Sequence, residues 1–261
     1  MNGFRLAVMH WKVGAMHEVQ YRVNFFLQLV DSVIRLATGL VAIWLVFSHT
    51  DDLAGWNRHE LLAVMGIHIL LSGINRTFVE PNVFQFIYTI GEGEFDYVLA
   101  RPVDSQLLVS VRNLRFWQLV DVVVGAVVIG WAVSGIMATT SWLEAATFLI
   151  AVSCGAVILY CMWMMVAAAA FKWIRVDDTV GLLNGLFQAG RWPVTIYPGW
   201  LRLTLTFVIP LAFAITVPAE SLSSRLTGGT MVLTLVVTGV MLLITRLAWQ
   251  RGVRNYSGAS A

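Results

Sequence analysis

Five stretches of this chain, residues 23–47, 61–79, 116–135, 143–171 and 230–247, each stay apolar for close to twenty residues or more with few charges. That is the length an α-helix needs to cross roughly 30 Å of hydrocarbon. Lipid cannot satisfy a backbone's polar groups, so only helices and closed barrels span a bilayer. A barrel is excluded, because its strands would show segments of about ten residues alternating in polarity, and no such pattern is present. Composition agrees: 58 % apolar residues, 12 % charged residues and a mean hydropathy of +0.76 lie outside the range of soluble domains. The fold class is therefore all-α, a polytopic membrane bundle. No Ser/Gly/Pro-rich linker or low-complexity tract divides it, so residues 1–261 read as a single domain.

Residues 1–20 carry Arg5, His10, Lys12 and His17 among apolar positions. They read as an amphipathic helix lying in the membrane interface, and no cleaved signal peptide is expected. Residues 177–222, ahead of the last apolar run, suffice for one crossing plus a broken element interrupted by Pro193, Pro198 and Pro210. Irregular backbone at membrane depth must be satisfied by protein or by a water-filled cavity, so this region should line something. Two threadings are open. In one, residues 180–192 complete the fifth span and 203–217 re-enter from outside; in the other, 180–200 lie at the cytoplasmic face and 203–217 are themselves the fifth span. The run holding Gly181, Asn184, Gly185, Gln188 and Gly190 suits a channel lining better than a lipid face, and we adopt the first. Six spans result either way. With the N-terminus in the cytoplasm, 12 of the 17 Lys and Arg residues fall on the cytoplasmic side, as the positive-inside rule requires. Both termini are then cytoplasmic, in a multi-pass protein of the inner membrane.

Ionisable residues inside spans are costly and seldom idle, about 2.5 to 3.5 kcal/mol each on insertion scales. Asp31 and Arg35 fall at i, i+4 in the first span, where they can pair. Asp121 opens the third span, with Gln118 and Arg115 as sequence neighbours. Two roles fit Asp31, Arg35 and Asp121, together with Asn184 and Gln188: helix anchoring at the inner interface, or a polar entrance to a translocation path.

The second and third spans are joined by residues 81–106, of which "GEGEFDYVLARPVDSQ" (91–106) is densely charged. Pro81 sits where a first helical position would favour it, and Phe84 and Tyr88 follow on one face at i, i+4 spacing. A short helix with an aromatic ridge, closed by an acidic Gly-containing turn, suits docking into another protein's groove. Arg101 is placed to pair with Asp96 or Glu94 and close that turn.

"GEGEFDYVLARPVDSQLL" resembles the cytoplasmic segment of type 2 ATP-binding-cassette exporter permeases, in the six-span family where Gly-Glu-hydrophobic-Asp precedes Leu-x-Arg-Pro. Those residues here are Gly93, Glu94, Phe95, Asp96, Leu99, Arg101 and Pro102. "GWNRHELL" (55–62), "RWPVTIYPGWLRLTLTFVIPLAF" (191–213) and "RGVRNYSGAS" (251–260) resemble other parts of that family in the expected order. The resemblance implies a permease without chemistry of its own, coupled to a separate ATPase. It implies two ATPase copies, which would bind the ATP and Mg, and a second permease, identical or homologous. On that reading Phe84, Tyr88, Glu92, Glu94, Asp96 and Arg101 form the ATPase-coupling surface. Lipid is the surrounding partner, and no nucleic acid is expected.

The chain's own motifs agree that ATP chemistry lies elsewhere. No G-x-x-x-x-G-K-[ST] loop is present, and neither lysine, Lys12 or Lys172, follows a glycine. The alternatives are an intramembrane enzyme or a scaffold without transport. "HELLAVMGIH" starts like a metalloprotease helix at His59 and Glu60, but position 63 is Ala63 where the second His is needed. Asp31 and Asp121 lack the Gly-x-Gly-Asp flank of an aspartyl intramembrane protease. Cys154 and Cys161 lie about 10.5 Å apart along one helix, too far for a disulfide. No metal ligands and no catalytic residues are assigned.

Overall fold

The computed structural model of the protein describes residues 22–136, 142–173 and 177–256; the interfacial helix expected over residues 1–20 lies outside them. The described elements are helical throughout. Helix α1 is Arg22–Phe47. Helix α2 (Arg58–Ile74) passes through a π-helical turn, Asn75–Val79, into α3 (Glu80–Gly91). Short helices α4 (Asp96–Leu99) and α5 (Ser105–Ser110) lead to α6 (Leu119–Gly135), then α7 (Trp142–Ala169) and α8 (Asp177–Ala189). A bent segment contains α9 (Gly199–Leu203) and α10 (Val217–Leu222), and α11 (Gly228–Asn255) completes the bundle. Five helical stretches are long and apolar enough to cross a membrane, and the bent pair Gly199–Val208 and Ala212–Leu222, angled at 80°, is the broken element expected from the prolines.

The two ends of that bent pair lie at the same end of the bundle. Before it, Thr195 Oγ1 accepts a hydrogen bond from Trp56 Nε1 at 2.8 Å, and Trp56 belongs to the α1–α2 loop. After it, Arg225 pairs with Glu60 at the start of α2 at 2.8 Å. Each arm spans about 15 Å at 1.5 Å per residue, half of what a crossing needs. The segment is thus a hairpin, bent at Pro210, whose second arm is buried and whose first arm exposes Trp200, Phe207 and Val208. Helix α8, 13 residues long, precedes the hairpin; the first of the two threadings makes residues 180–192 the crossing before it. With the α3 end cytoplasmic, a cysteine placed at Thr195 is expected to react with an impermeant thiol reagent added outside; labelling solely from the cytoplasmic side would reverse the assignment.

The seam between α2 and α6 is made by glycines. A Cβ on Gly125 would lie 2.5 Å from the Leu70 backbone nitrogen, and one on Gly73 2.6 Å from that of Val122. The backbones therefore touch, which is how helices associate where lipid offers no hydrophobic drive. Helix α1 is the opposite case: its only buried described residues are Gln28, Ser32 and Ile43.

Pro81 does not begin a separate helix. The stretch Arg58–Gly91 is one 34-residue helical run, about 50 Å long. Pro81 has no N–H for the Thr77 carbonyl and its ring crowds that group; the π turn opens the helix there, and Thr77 O accepts instead from the Arg115 N–H at 3.2 Å. The freed carbonyl thereby ties this rod to the start of α6.

Candidate functional site

Two sites emerge along the α2–α3 rod, one near the π turn and one at the end of α3. The first surrounds Asp121, which is only 2 % exposed. Its carboxylate accepts from Arg35 Nη2 at 2.9 and 3.1 Å, from Gln28 Nε2 at 3.3 Å and from the Ser32 hydroxyl, and Arg76 Nη1 stands 3.7 Å away. Arg35 also pairs with Asp31, which is 54 % exposed. Two of the three buried residues of α1, Gln28 and Ser32, are thus polar and both bind Asp121, so the N-terminal half of α1 is held to α6 by hydrogen bonds rather than apolar packing.

A cavity of about 40 Å³ lies beside this cluster, lined by Arg35, Arg76, Arg191, Gln188, His68 and Asp121 among others. His68 lies ten residues into α2 and is buried. It stacks on Phe187 with ring centroids 4.6 Å apart and its Nε2 bonds the Phe187 carbonyl at 3.1 Å. Gly190 lets α8 end close by, since a Cβ there would meet Ile215 at 2.3 Å. Of the residues singled out from sequence, Arg35, Asp121 and Gln188 converge on the cavity. Asp31 lies outside it, and Asn184 is half-buried one turn before Gln188 without lining it. Arg76, Arg191, Ser32, Gln28 and His68 are additions.

The second site is the end of α3 with the segment after it. Gly93, at φ +73°, closes α3: its N–H bonds Ile90 O at 3.1 Å and the Glu94 N–H bonds Thr89 O at 2.9 Å, the two hydrogen bonds of a Schellman cap that requires the left-handed residue. The chain then buries Phe95, 0 % exposed, in a cluster with Phe86, Phe171, Trp249 and Tyr256 at centroid distances of 4.9 to 6.3 Å. Buried Asn82 stitches the other side: its Nδ2 donates to the Phe78, Ser110 and Asn113 carbonyls, and its Oδ1 accepts from Asn113 N–H at 2.7 Å.

Against this clamped base, Tyr88 (60 % exposed) and Tyr97 (77 %) face outward, as do Glu92, Glu94, Asp96 and Arg101, while Phe84 is 36 % exposed with its ring 6.1 Å from Trp163. Arg101 pairs with neither Asp96 nor Glu94: no carboxylate among the described residues lies within 4 Å of it. The turn needs no such pair, being closed by the Schellman bonds and by Phe95. The ion pair that does form joins Asp104, the N-cap of α5, to Arg246 on α11. The Arg246 guanidinium holds the Asp104 carboxyl below the usual carboxylate range, so the link is intact above the ordinary Asp pKa and is lost as pH falls through the depressed value.

At the opposite end, Glu60 accepts from Asn57 N–H at 2.8 Å while Asn57 Oδ1 accepts from the His59 and Glu60 amides, a capping box. The His-Glu pair that opens like a metalloprotease helix is thus a helix start. Residues 33–260 match the model of a family described as ABC-2 family transporter protein. No curated protein and no solved structure matches the chain.

Proposed function

The chain belongs to the ABC-2 transporter family, and from that membership we propose that it is the membrane subunit of an ATP-driven exporter of the inner membrane, worked by a separate ATPase docked at the α3–α5 segment. ATP and Mg²⁺ bind in that partner, in two copies, and a second permease, identical or homologous, completes the assembly. The observation that carries the coupling assignment is mechanical. The α3–α5 segment is fixed to the bundle by the five-ring cluster and by Asn82, yet presents tyrosines and charges to solvent. A push there is passed on rather than absorbed.

Its route follows the contacts. Helix α3 is continuous with α2, so displacement reaches Arg76 at the π turn and, through Thr77 O and Arg115 N, the start of α6. π turns within α-helices are frequent at functional sites. Both branches meet at Asp121, which holds α1 by polar contacts that can exchange without tearing a packed core. The cluster then serves as the inner gate of the path, with α1 as its moving part.

Reconstitution in liposomes with a candidate P-loop ATPase partner tests this proposal. ATP turnover is expected only with both chains present. Substantial hydrolysis by this chain alone would overturn the reading, and failure of any P-loop ATPase to co-purify would favour a scaffold.

A further inference from the structure

We infer that the cavity beside Asp121 binds the acidic headgroup of an amphiphile, and that the exporter's substrate is of that class; the second half of this inference rests on the transport reading above. Among the described residues the cavity is lined by three guanidiniums, Arg35, Arg76 and Arg191, and one carboxylate, Asp121; Asp31 stands outside it beside Arg35, and Glu80 outside it near Arg76. Arg35 and Arg76 share Asp121. No carboxylate among the described residues lies within 4 Å of Arg191.

The plain structural role for Arg191 would be to cap the carbonyls left at the C-terminus of α8. Other groups already do this, since Phe187 O is bonded by His68 and Ala189 O accepts from the Tyr197 hydroxyl at 2.8 Å. Gln188 adds a second mark of an unfilled site, a side-chain amide in this cavity whose oxygen is buried without a hydrogen-bond partner and which can turn its Nε2 to donate to an entering anion. An unneutralised cation at membrane depth is costly, and by default it marks a substrate or ion path. The ligand class that answers an excess of guanidinium is an anion with paired oxygens, a carboxylate or a phosphate.

Size narrows the class. About 40 Å³ holds a few water molecules or one such headgroup, and no chain. The lining is apolar at Gly39, Met65 and Ile69, and an acyl or alkyl tail leaves the cavity over these residues while the head enters it. The same chemistry is found in a resident anionic lipid and in a transported amphiphile.

The test begins with the purified chain in dodecyl maltoside, titrated calorimetrically with dodecyl phosphate and with dodecyltrimethylammonium. The phosphate is expected to bind saturably and the ammonium not to. Arg191→Gln should weaken phosphate binding by about tenfold or more, as expected for loss of one charge-assisted hydrogen bond, whereas Arg191→Lys, which keeps the charge but not the paired donors, should retain saturable binding at an affinity between those of the unmodified chain and Arg191→Gln. Size-exclusion profiles matching the unmodified chain establish that these variants fold. Equal binding of the two probes, or unchanged binding in Arg191→Gln, overturns the site. In phosphatidylcholine proteoliposomes with the ATPase, ATP-dependent movement of labelled dodecyl phosphate supports the substrate assignment. Arg191-dependent binding without movement, in an assembly that hydrolyses ATP, marks a resident headgroup and overturns that assignment. Absence of ATP hydrolysis in the assembly would refute the transport reading instead, while the detergent titration, which needs no partner, still decides the anion site.

Discussion

Replacing Phe84 and Tyr88 together by alanine is expected to abolish both co-purification of the ATPase and partner-stimulated ATP turnover, while the chain still accumulates folded in the membrane. The two rings lie on one face of α3, one turn apart, and Tyr88 is the more exposed at 60 %. Exposed aromatics on a stiff base make interface hot spots, whose truncation typically costs about 2 kcal/mol or more. Loss of both would lower affinity by roughly a thousandfold if the effects add. Tyr88 should carry the larger share, because Phe84 keeps part of its contact inside the chain, with Trp163. Two controls separate docking from folding. Phe95→Ala removes the centre of the five-ring cluster and should cost about 3 to 5 kcal/mol of stability, so it should fail at the level of membrane accumulation. Glu92→Ala changes an exposed charge and should chiefly alter salt dependence. Retention of the full complex by the double variant would move the coupling surface elsewhere, in the first place to the segment before Arg22.

The division between what the sequence discloses and what it conceals follows the range of the interactions. Span lengths are set by hydrocarbon thickness, a local constraint, so the apolar runs at residues 23–47 and 116–135 are found as helical stretches with nearly those bounds. The Asp31–Arg35 contact is also local, one helical turn, and it forms. Asp121 is different: its sequence neighbours Gln118 and Arg115 are not its partners, and the groups that bind it come from α1, close to ninety residues away, and from the π turn of the α2–α3 rod. Nothing in spacing reveals such a contact, although the cost of a carboxylate in a span did mark Asp121 as needing one. Pro81 shows the limit from the other side. Its rule for helix starts is sound in isolation, but a carbonyl with an outside donor, Thr77 O with Arg115 N–H, lets the helix run on.

Asp121→Asn is expected to lower the stability of the membrane-inserted chain by about 3 kcal/mol or more, the cost of breaking a buried ion pair from one side. The substitution keeps the shape and the partners Gln28 and Ser32 but leaves Arg35 and Arg76 without the carboxylate they share. Asp31→Asn should cost less than Asp121→Asn, because Asp31 is 54 % exposed and meets Arg35 alone, whereas Asp121 is shared by two guanidiniums. Exchanging the two charges, Asp31→Arg with Arg35→Asp, separates the local pair from the long-range one. If the local pair alone held α1, the exchange would restore stability. With Asp121 as the main partner of Arg35, the exchange sets a carboxylate at position 35 against the buried carboxylate of Asp121, and the double variant should be as unstable as Arg35→Asp by itself. Thermal melting followed by fluorescence-detected size exclusion distinguishes the two outcomes, and full recovery in the exchange variant would show that α1 is held by its own i, i+4 pair and not by α6.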